Sequence, residues 1–181
     1  MKFSNLNIQR WQILTLALVL FLSIQLTHSP ADCVSEEQPV TVRGNSLSGI
    51  VEAGDTLKIL VGYYQCHPVE RGEIVAYKYA GNDVPIIKIV KGIEGDKFKL
   101  KKSKAGCWNI LINAKILKNS SGRPYCLDER GWRMLSLYEQ DYKGVIPKNA
   151  YLILGNLVEG SLDSSRFGLV DKSDFLGKVV K

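Results

Sequence analysis

The chain has 181 residues, of which 45% are hydrophobic and 23% are charged. This is an ordinary globular composition, enough for one domain with a small insertion, and it excludes a disordered chain, collagen and a tandem of large domains. The 24 Lys and Arg residues outnumber the 18 Asp and Glu residues but are spread along the chain, so nucleic acid is not an expected partner. Only His28 and His67 occur, and His28 adjoins an apolar segment. A His-dependent triad or a His-rich metal site would therefore depend on His67 alone.

The N-terminal segment is predicted to cross a membrane. Nearly every residue from Trp11 to Leu26 is apolar, and these 16 residues, at about 1.5 Å each, span about 24 Å. Flanking residues extend the helix toward the hydrocarbon thickness of about 30 Å, so we expect a transmembrane anchor at 11–28. A cleaved signal peptide is the alternative, although Ser29-Pro30-Ala31 is a poor match to the small-x-small cleavage signal.

The charges that flank the apolar run predict its orientation. Lys2 and Arg10 precede the run, whereas Asp32, Glu36 and Glu37 follow it. The positive-inside rule leaves the N-terminus, residues 1–10, in the cytoplasm and places the rest of the chain on the outer side. We therefore expect a single-pass membrane protein that contacts membrane lipid.

This placement puts four cysteines in an oxidising compartment, where disulfides persist. Three pairings are possible, and the spacing favours Cys107 with Cys126, which flank one hairpin-like region, and then Cys33 with Cys66. Zinc binding is the alternative, but the chain has no C-x-x-C pair and only His67 as a nitrogen donor. We expect no metal and no other cofactor.

The part of the chain beyond the anchor is predicted to be mainly β. Segments rich in Val, Ile, Tyr and Leu are separated by turns that contain Gly, Asn or Asp, and no long segment shows clear helical periodicity. We expect packed antiparallel sheets. In the Lys-rich run 97–104, Lys alternates with Phe98 and Leu100, which predicts a strand with one solvated face; contact with lipid headgroups is the alternative. The predicted strands are Gln38–Val42, Thr56–Val61, Glu73–Tyr79, Pro85–Val90, Asp96–Lys101, Trp108–Ile112 and Tyr151–Leu154.

Two residues are candidates for catalysis on their surroundings alone. Ser46 lies between an apolar strand and a Gly-containing turn, where its hydroxyl and backbone N–H can face a substrate, although Gly-Asn-Ser is also common in turns. Lys88 lies in a run of Ile and Val. Loss of water around its ammonium, with no carboxylate expected to compensate, lowers the pKa of Lys88 and supplies a neutral amine as a base. A Lys88 that points outward from an edge strand is the alternative, and Lys78 is the reserve candidate.

Three motifs occur in a fixed order along the chain. The first is Gly44-Asn45-Ser46-Leu47-Ser48-Gly49, and the second is Arg71-Gly72-Glu73-Ile74-Val75 followed by IKIVKGIEGD from Ile87 to Asp96. The third runs from Ile146-Pro147 through Tyr151 and Gly155-Asn156 to Ser161-Leu162-Asp163 and Gly168. Together they resemble the G-x-S-M-x-P-T-L, R-G-D-I-V with I-K-R-V-V-G-x-x-G-D, and V-P-x-x-x-Y-x-x-x-G-D-N with S-x-D-S-R motifs of the type I signal peptidases, which are membrane-bound Ser-Lys endopeptidases.

The resemblance covers about residues 8–96 and 145–180 and implies an endopeptidase that removes signal peptides from secretory preproteins. It makes Ser46 the nucleophile, Lys88 the base, Ser161 the hydroxyl that orients the lysine amine and Asp163 a structural carboxylate.

The same resemblance implies a division of the chain into parts. It places a catalytic β domain at 29–96 and 145–181, and an inserted β lobe at 97–144. Cys107 and Cys126 both fall inside the inserted lobe, where a disulfide between them would be structural.

Several positions depart from the family motifs. Leu47 replaces Met, Gly49 replaces Pro, and Asn156 replaces Asp. Gly44 stands where some members have a Ser that acts as an oxyanion donor, so the Ser46 backbone N–H would carry that role. Arg166 comes one place later than the family's Arg, which leaves the partner of Asp163 open.

Two other functions are compatible with the motifs. One is a Ser-Lys peptidase of narrower scope, such as a conjugative pilin-processing peptidase or a LexA-like autoprotease, although the apolar anchor argues against the DNA-binding domain of the latter. The other is an inert, membrane-anchored binding protein that keeps the fold. The presence of both Ser46 and Lys88 argues against it.

Overall fold

The computed structural model describes residues 33–79 and 84–181, so the predicted cytoplasmic N-terminus and the anchor at 11–28 lie outside the described residues. Within these two ranges, the chain forms ten strands and two α-helices. Among the same residues, no helix combines the length and the apolar character that a membrane span requires. The elements are β1 (Glu36–Thr41), β2 (Thr56–Val61), β3 (Ile74–Tyr77), β4 (Ile86–Gly92), β5 (Phe98–Lys102), β6 (Trp108–Ile112), β7 (Lys115–Ile116), α1 (Glu129–Asp141), β8 (Ala150–Leu154), α2 (Ser164–Phe167), β9 (Val170–Asp171) and β10 (Phe175–Val180).

The strands form two antiparallel sheets, which confirms the prediction of a mainly β, antiparallel fold. The larger sheet has the order β1-β2-β10-β3-β4-β8-β9, and the smaller one has the order β5-β6-β7. The larger sheet is covered on both faces, because the neighbours Ile89 and Val90 pack into two different clusters of buried side chains, as do Ala76 and Val75. Strand β4 therefore lies well inside the sheet.

The segment 97–144 contributes the smaller sheet and helix α1. In β5, Phe98 and Leu100 are buried and Lys99 and Lys101 are exposed, as expected for a strand with one solvated face. The buried residues of this segment share one cluster with Leu152 of β8. The two sheets are thus joined by a continuous apolar core.

Helix α1 was not expected, and the prediction that no long helix occurs is wrong. Its first turn is capped by Asp128, whose side chain accepts a hydrogen bond from the Gly131 N–H. Trp132 stacks on Trp108 of β6 with ring centroids 4.7 Å apart. Of the residues in the helix, Gly131 and Leu135 are buried, so its apolar stripe is too narrow to be visible in the sequence.

The seven predicted strands all form, with bounds within two residues of those predicted, whereas β7, β9 and β10 were missed. Strand β10 contains Gly177, a residue that ordinarily weakens a strand prediction. In the structure this glycine is required, because a Cβ at Gly177 would collide with the Leu60 carbonyl of β2.

Both favoured disulfide pairings are confirmed. Cys33 is bonded to Cys66, and Cys107 is bonded to Cys126. The first joins the residues before β1 to the turn after β2, and the second joins the start of β6 to the residues before α1. All four thiols are consumed, so the zinc alternative is wrong.

Candidate active site

Ser46 lies on a tight turn that follows β1. The turn is closed by hydrogen bonds from the Ile50 and Val51 N–H groups to the Leu47 carbonyl, at 3.0 and 3.2 Å. Leu47 itself is 1% exposed and packs into the apolar cluster on one face of the larger sheet. The apolar residue next to Ser46 therefore anchors the turn, while Ser46 remains half-buried at its surface.

Lys88 enters the site from strand β4. Lys88 pairs with Val75 of the neighbouring strand β3, and only 4% of the surface of Lys88 is exposed. The alternative of an outward lysine on an edge strand is therefore wrong. The Lys88 Nζ donates to Ser46 Oγ and to the Ile87 carbonyl, each at 2.9 Å. A base within hydrogen-bond reach of a hydroxyl is the arrangement that proton abstraction from a serine requires.

Two opposing effects set the pKa of Lys88. Burial away from water lowers the pKa, and the charge of Asp163 raises it by a smaller amount. The net direction is downward, as the sequence predicted. The expectation that no carboxylate compensates is wrong, because Asp163 is only 1% exposed and acts on the lysine from within the site.

Asp163 caps the short helix α2 and is satisfied by neutral donors. It accepts hydrogen bonds from the Gly155 N–H at 2.9 Å, from the Ser161 hydroxyl at 2.6 Å, and from the Ser165 N–H and hydroxyl at 2.9 and 2.7 Å. Arg166 instead pairs with Asp128, the capping residue of α1, at 2.8 Å. The displaced arginine thus joins α2 to α1, and Asp163 has no need of an ion-pair partner.

Ser161 lies next to this carboxylate. Its hydroxyl donates to Asp163, and the recorded acceptors of the Lys88 amine are Ser46 and Ile87. Among the described residues, no Ser161–Lys88 hydrogen bond is present. The structure therefore brings Ser46, Lys88, Ser161 and Asp163 into one site, with Ser161 bonded to the carboxylate.

Gly155 allows the end of β8 to approach the turn that carries Ser46. A Cβ at this position would lie 2.5 Å from Ser161 Oγ and 2.8 Å from the Ser46 carbonyl oxygen. Any larger residue would push the strand away from Ser46. The glycine of the third motif is thus explained by a close approach of two backbone segments.

A narrow groove opens at Ser46 and Lys88. Its volume is about 220 Å³, and it lies between the end of β1 and the start of β4. A larger groove of about 560 Å³ contains Lys78, the reserve candidate for the base, but neither Ser46 nor Lys88 lines it. The lining residues of the narrow groove are Val40, Thr41, Val42, Arg43, Gly44, Ser46, Leu47, Val84, Pro85, Ile86, Ile87 and Lys88.

Contacts between the segment 97–144 and the site were not predicted from the sequence. Tyr125 is 1% exposed, and its hydroxyl donates to the Gly155 carbonyl at 2.6 Å. Asn119 and Ser120 form hydrogen bonds with Asn156. None of the three residues lies in the motifs described above. Asn119 and Ser120 are of types common in turns, and nothing in the sequence around Tyr125 indicates a long-range contact.

The described part of the chain offers no group of three or more His, Cys, Asp or Glu side chains that could hold a metal ion. The site itself presents the hydroxyl of Ser46, the amine of Lys88 and the carboxylate of Asp163.

The chain was compared with known proteins. The signal peptidase family, peptidase S26, matches residues 10–181. Signal peptidase IB of Staphylococcus aureus (strain COL) is 28% identical over 152 residues, which cover 78% of this chain and 74% of that protein. Signal peptidase I of Buchnera aphidicola subsp. Schizaphis graminum (strain Sg) is 26% identical over 164 residues, which cover 62% of this chain and 53% of that protein.

Among solved structures, a signal peptidase I from Enterococcus faecalis V583 superposes with a TM-score of 0.43 at 20% identity, covering 62% of this chain and 97% of that one. The family match spans nearly the whole chain and includes all three motifs, so the chain belongs to the signal peptidase family, peptidase S26.

Proposed function

We propose that this chain is a membrane-anchored serine endopeptidase that removes signal peptides from exported preproteins with a Ser46–Lys88 dyad. The observation that carries the proposal is the 2.9 Å distance between Ser46 Oγ and the Nζ of a lysine that is 4% exposed. Family membership supports a peptidase, and this distance supports the assignment of the reacting groups.

In the first half of the reaction, neutral Lys88 accepts the proton of the Ser46 hydroxyl while Ser46 Oγ bonds to the scissile carbonyl carbon. The oxyanion that forms accepts a hydrogen bond from the Ser46 N–H. When the intermediate collapses, the C–N bond breaks and the Lys88 ammonium gives its proton to the leaving amine. A Ser46 acyl-enzyme remains.

In the second half, Lys88 takes a proton from a water molecule that attacks the acyl carbon. Collapse releases the carboxylic acid and returns the proton from Lys88 to Ser46 Oγ. The proton and the nucleophile are both restored, so the cycle closes with one amine and one carboxyl product. No step of this cycle needs a histidine.

Ser161 and Asp163 support the dyad in this proposal. Asp163 holds the Ser161 hydroxyl at 2.6 Å, which leaves the lone pairs of Ser161 Oγ free to accept a hydrogen bond from the lysine amine. The Asp163 charge also moderates the downward shift of the Lys88 pKa. Ser161 is thus a positioning residue, and Asp163 positions Ser161.

The groove suits a peptide in extended conformation. Its volume of about 220 Å³ and its Val and Ile lining favour small, apolar side chains near the bond that is cut. Among the described residues, β8 pairs with β4 from Ile89 to Gly92, so in this proposal the substrate adds a strand beside the first residues of β4, Ile86–Lys88, which line the groove. The groove is compatible with the end of a signal peptide, which is the substrate class that family membership supports.

We place the chain in the membrane with the anchor at 11–28, the N-terminus in the cytoplasm and the catalytic domain, 29–96 and 145–181, on the outer side. The two disulfides are consistent with an oxidising compartment. The segment 97–144 is the inserted lobe. The alternative function, a pilin-type processing peptidase of narrow specificity, uses the same chemistry. It would differ from a general signal peptidase in the range of precursors that it cleaves.

Incubation of the purified full chain in detergent with a secretory precursor tests the function. Wild type should yield a mature protein whose N-terminal sequence begins after the signal peptide, and Ser46→Ala should yield none. Ser136→Ala is the matched control, because the hydroxyl of Ser136 bonds only within α1, to the Arg133 carbonyl. Equal cleavage by wild type and Ser46→Ala, or none by wild type, would refute the proposal, and a panel of unrelated precursors would reveal narrow specificity.

A further inference from the structure

Asn156 joins the end of β8 to the turn that carries Ser46, residues 46–51, here called the nucleophile turn. It is 4% exposed, and its backbone N–H donates to the Ser46 carbonyl at 2.5 Å. Its side-chain Nδ2 donates to the Ser48 carbonyl at 2.8 Å. Two carbonyls of the turn, on either side of Leu47, are therefore held by one residue.

The opposite side of Asn156 is held by the turn Asn119–Arg123 of the segment 97–144. The Ser120 N–H donates to Asn156 Oδ1 at 2.9 Å, and Asn156 Nδ2 donates to Ser120 Oγ at 2.8 Å. Asn119 Nδ2 donates to the Asn156 carbonyl at 3.0 Å. Every polar atom of Asn156 is therefore used, and its amide is fixed in one orientation, since a flipped amide would place Oδ1 against the Ser48 carbonyl.

The turn Asn119–Arg123 is itself well fixed. The Asn119 side-chain oxygen accepts from the Ser121 N–H and hydroxyl and from the Arg123 N–H, at 2.9 to 3.1 Å. A few residues later, the Cys126 N–H donates to the Val158 carbonyl at 2.9 Å, and the Cys126 side chain is in the disulfide with Cys107. The turn therefore cannot move away from the end of β8 without breaking several bonds.

The nucleophile turn needs this external support because it contains flexible residues. Gly49 adopts φ +87°, which Pro, the residue of the family motif at this position, cannot reach. A Cβ at Gly49 would lie 3.3 Å from Asn156 Nδ2, and nothing lies within 4 Å of a Cβ at Gly44. Glycines widen the range of backbone conformations, so the anchoring of Leu47 in the core leaves a part for Asn156 in fixing the position of Ser46.

We propose that Asn156, Asn119 and Ser120 form a positioning clamp that fixes Ser46 at hydrogen-bond distance from Lys88, and that the Cys107–Cys126 disulfide keeps the clamp closed. The inference rests on the proposed function, which it deepens by giving the segment 97–144 a part in catalysis. None of these three side chains reaches the reacting atoms, so they are positioning residues. A displacement of about 1 Å in a nucleophile can cost about 100-fold in rate, which sets the scale of the effect.

The first experiment compares Asn156→Ala and Ser120→Ala with wild type in the precursor assay. Both variants should lower kcat by about 10- to 100-fold with little change in KM, because neither Asn156 nor Ser120 lines the substrate groove and both act on the position of Ser46. The pH at which activity rises should stay the same, since Lys88 and its surroundings are intact. Ser136→Ala is the control: its hydroxyl bonds within α1, to the Arg133 carbonyl, and has no part in the contacts of Asn156, so this variant should keep a kcat close to wild type.

The second experiment uses the two disulfides as a matched pair. Replacing Cys107 and Cys126 by Ser should lower kcat. Replacing Cys33 and Cys66 by Ser should not, because the Cys33–Cys66 disulfide does not border the clamp. If the first double variant does not fold, kcat of the Cys33→Ser/Cys66→Ser variant is measured with and without a reductant, which then breaks the Cys107–Cys126 bond and should lower kcat. Cys107 and Cys126 variants with wild-type kcat would overturn the role of the disulfide.

A third readout does not depend on peptidase activity. Amide hydrogen exchange at 46–51 should be faster in Asn156→Ala than in wild type, with exchange in β2 unchanged. Wild-type kcat in both Asn156→Ala and Ser120→Ala, or a loss confined to KM or to the unfolding midpoint, would refute the clamp while the Ser46→Ala result still stands. Conversely, if wild type cleaves no precursor, the proposed function fails, and unchanged exchange at 46–51 would overturn the clamp as well.

Discussion

Two carboxylates of this chain, Asp96 and Asp163, are both buried, at 6% and 1% exposure, but their surroundings differ. Asp96 faces the Arg71 guanidinium, whose Nη2 lies 2.6 and 2.7 Å from its two oxygens. It also accepts from the Ile93 N–H and from the Asn113 side chain, at 2.8 and 2.7 Å. Asp163 instead accepts only from hydroxyl and backbone N–H groups of neighbouring residues.

The difference in donors gives the two carboxylates different uses. A guanidinium compensates the charge of Asp96, so this residue ties the turn after β4 to Arg71 and to the smaller sheet. Neutral donors solvate Asp163 but leave its charge uncompensated, and that charge raises the pKa of Lys88. Two carboxylates of similar burial thus differ in what they act on: Asp96 pairs with Arg71, and the charge of Asp163 acts on Lys88.

The largest expected effect follows from removing the base itself. Lys88→Ala should lower kcat by about 10⁴-fold or more, and adding Ser46→Ala should cost little further, because nucleophile and base act as one unit. Lys78→Ala is the control, since Lys78 is exposed and lines a different groove. Steady-state kinetics on a precursor, with circular dichroism to verify folding, measures both. Near-normal turnover in Lys88→Ala together with loss in Lys78→Ala would reverse the assignment.

A smaller loss is expected from the hydroxyl that Asp163 holds. Ser161→Ala leaves the nucleophile in place but removes the group that we propose orients the lysine amine, so turnover should fall by about 10- to 1000-fold. Ser161→Thr keeps a hydroxyl and should restore part of the activity. A Ser161→Ala variant as fast as wild type would limit the role of Asp163 to its charge and its capping of α2.

The two carboxylates should differ in their effect on the pH profile. The charge of Asp163 favours the Lys88 ammonium, so Asp163→Asn should lower the pKa of Lys88 and move the rise in kcat/KM to lower pH. Asp96→Asn should leave the position of that rise unchanged. Each variant should also lose about 1–3 kcal/mol of unfolding free energy, because hydrogen bonds of a buried acceptor are lost. Equal shifts in both pH profiles would contradict the comparison.

The smallest effect is expected at the arginine that does not pair with Asp163. Arg166→Ala removes a partly exposed ion pair with Asp128 and should cost about 0.2–1 kcal/mol of unfolding free energy, with no shift of the activity profile. The pKa of Asp128 is lowered, mainly by its hydrogen bond with Arg166, so this contribution is present above pH 3.8 and is lost as the pH falls further. Denaturant unfolding of both proteins at neutral and acidic pH tests the difference.

The candidate residues came from motifs that resemble those of a family, and the structure brings them into one site. The Ile and Val run around Lys88 predicted a strand but left open whether the lysine is buried or points outward, and the structure shows it buried. Ser46 precedes Leu47, the residue that anchors its turn. Local patterning of this kind also predicted the seven strands and both disulfides.

Contacts between distant segments could not be predicted in this way. Asn156 lies 36 positions after Ser120 and 108 positions after Ser48, and the types of these residues suggest turns and not positioning. Helix α1 was not predicted for a related reason, because part of its apolar contact comes from the stacking of Trp132 on Trp108 of strand β6. Tertiary packing decides such features, and one sequence does not record it.

The central claim is that Lys88, buried on β4, is the base that activates Ser46. The pH dependence of kcat/KM for the wild-type chain tests it most directly, because this quantity follows the protonation state of the free enzyme. Activity should rise with pH as Lys88 loses its proton, with an apparent pKa below the ordinary lysine value of 10.5, in the direction set by burial. A rise centred at 10.5 or above, or a profile that does not rise with pH at all, would contradict the claim.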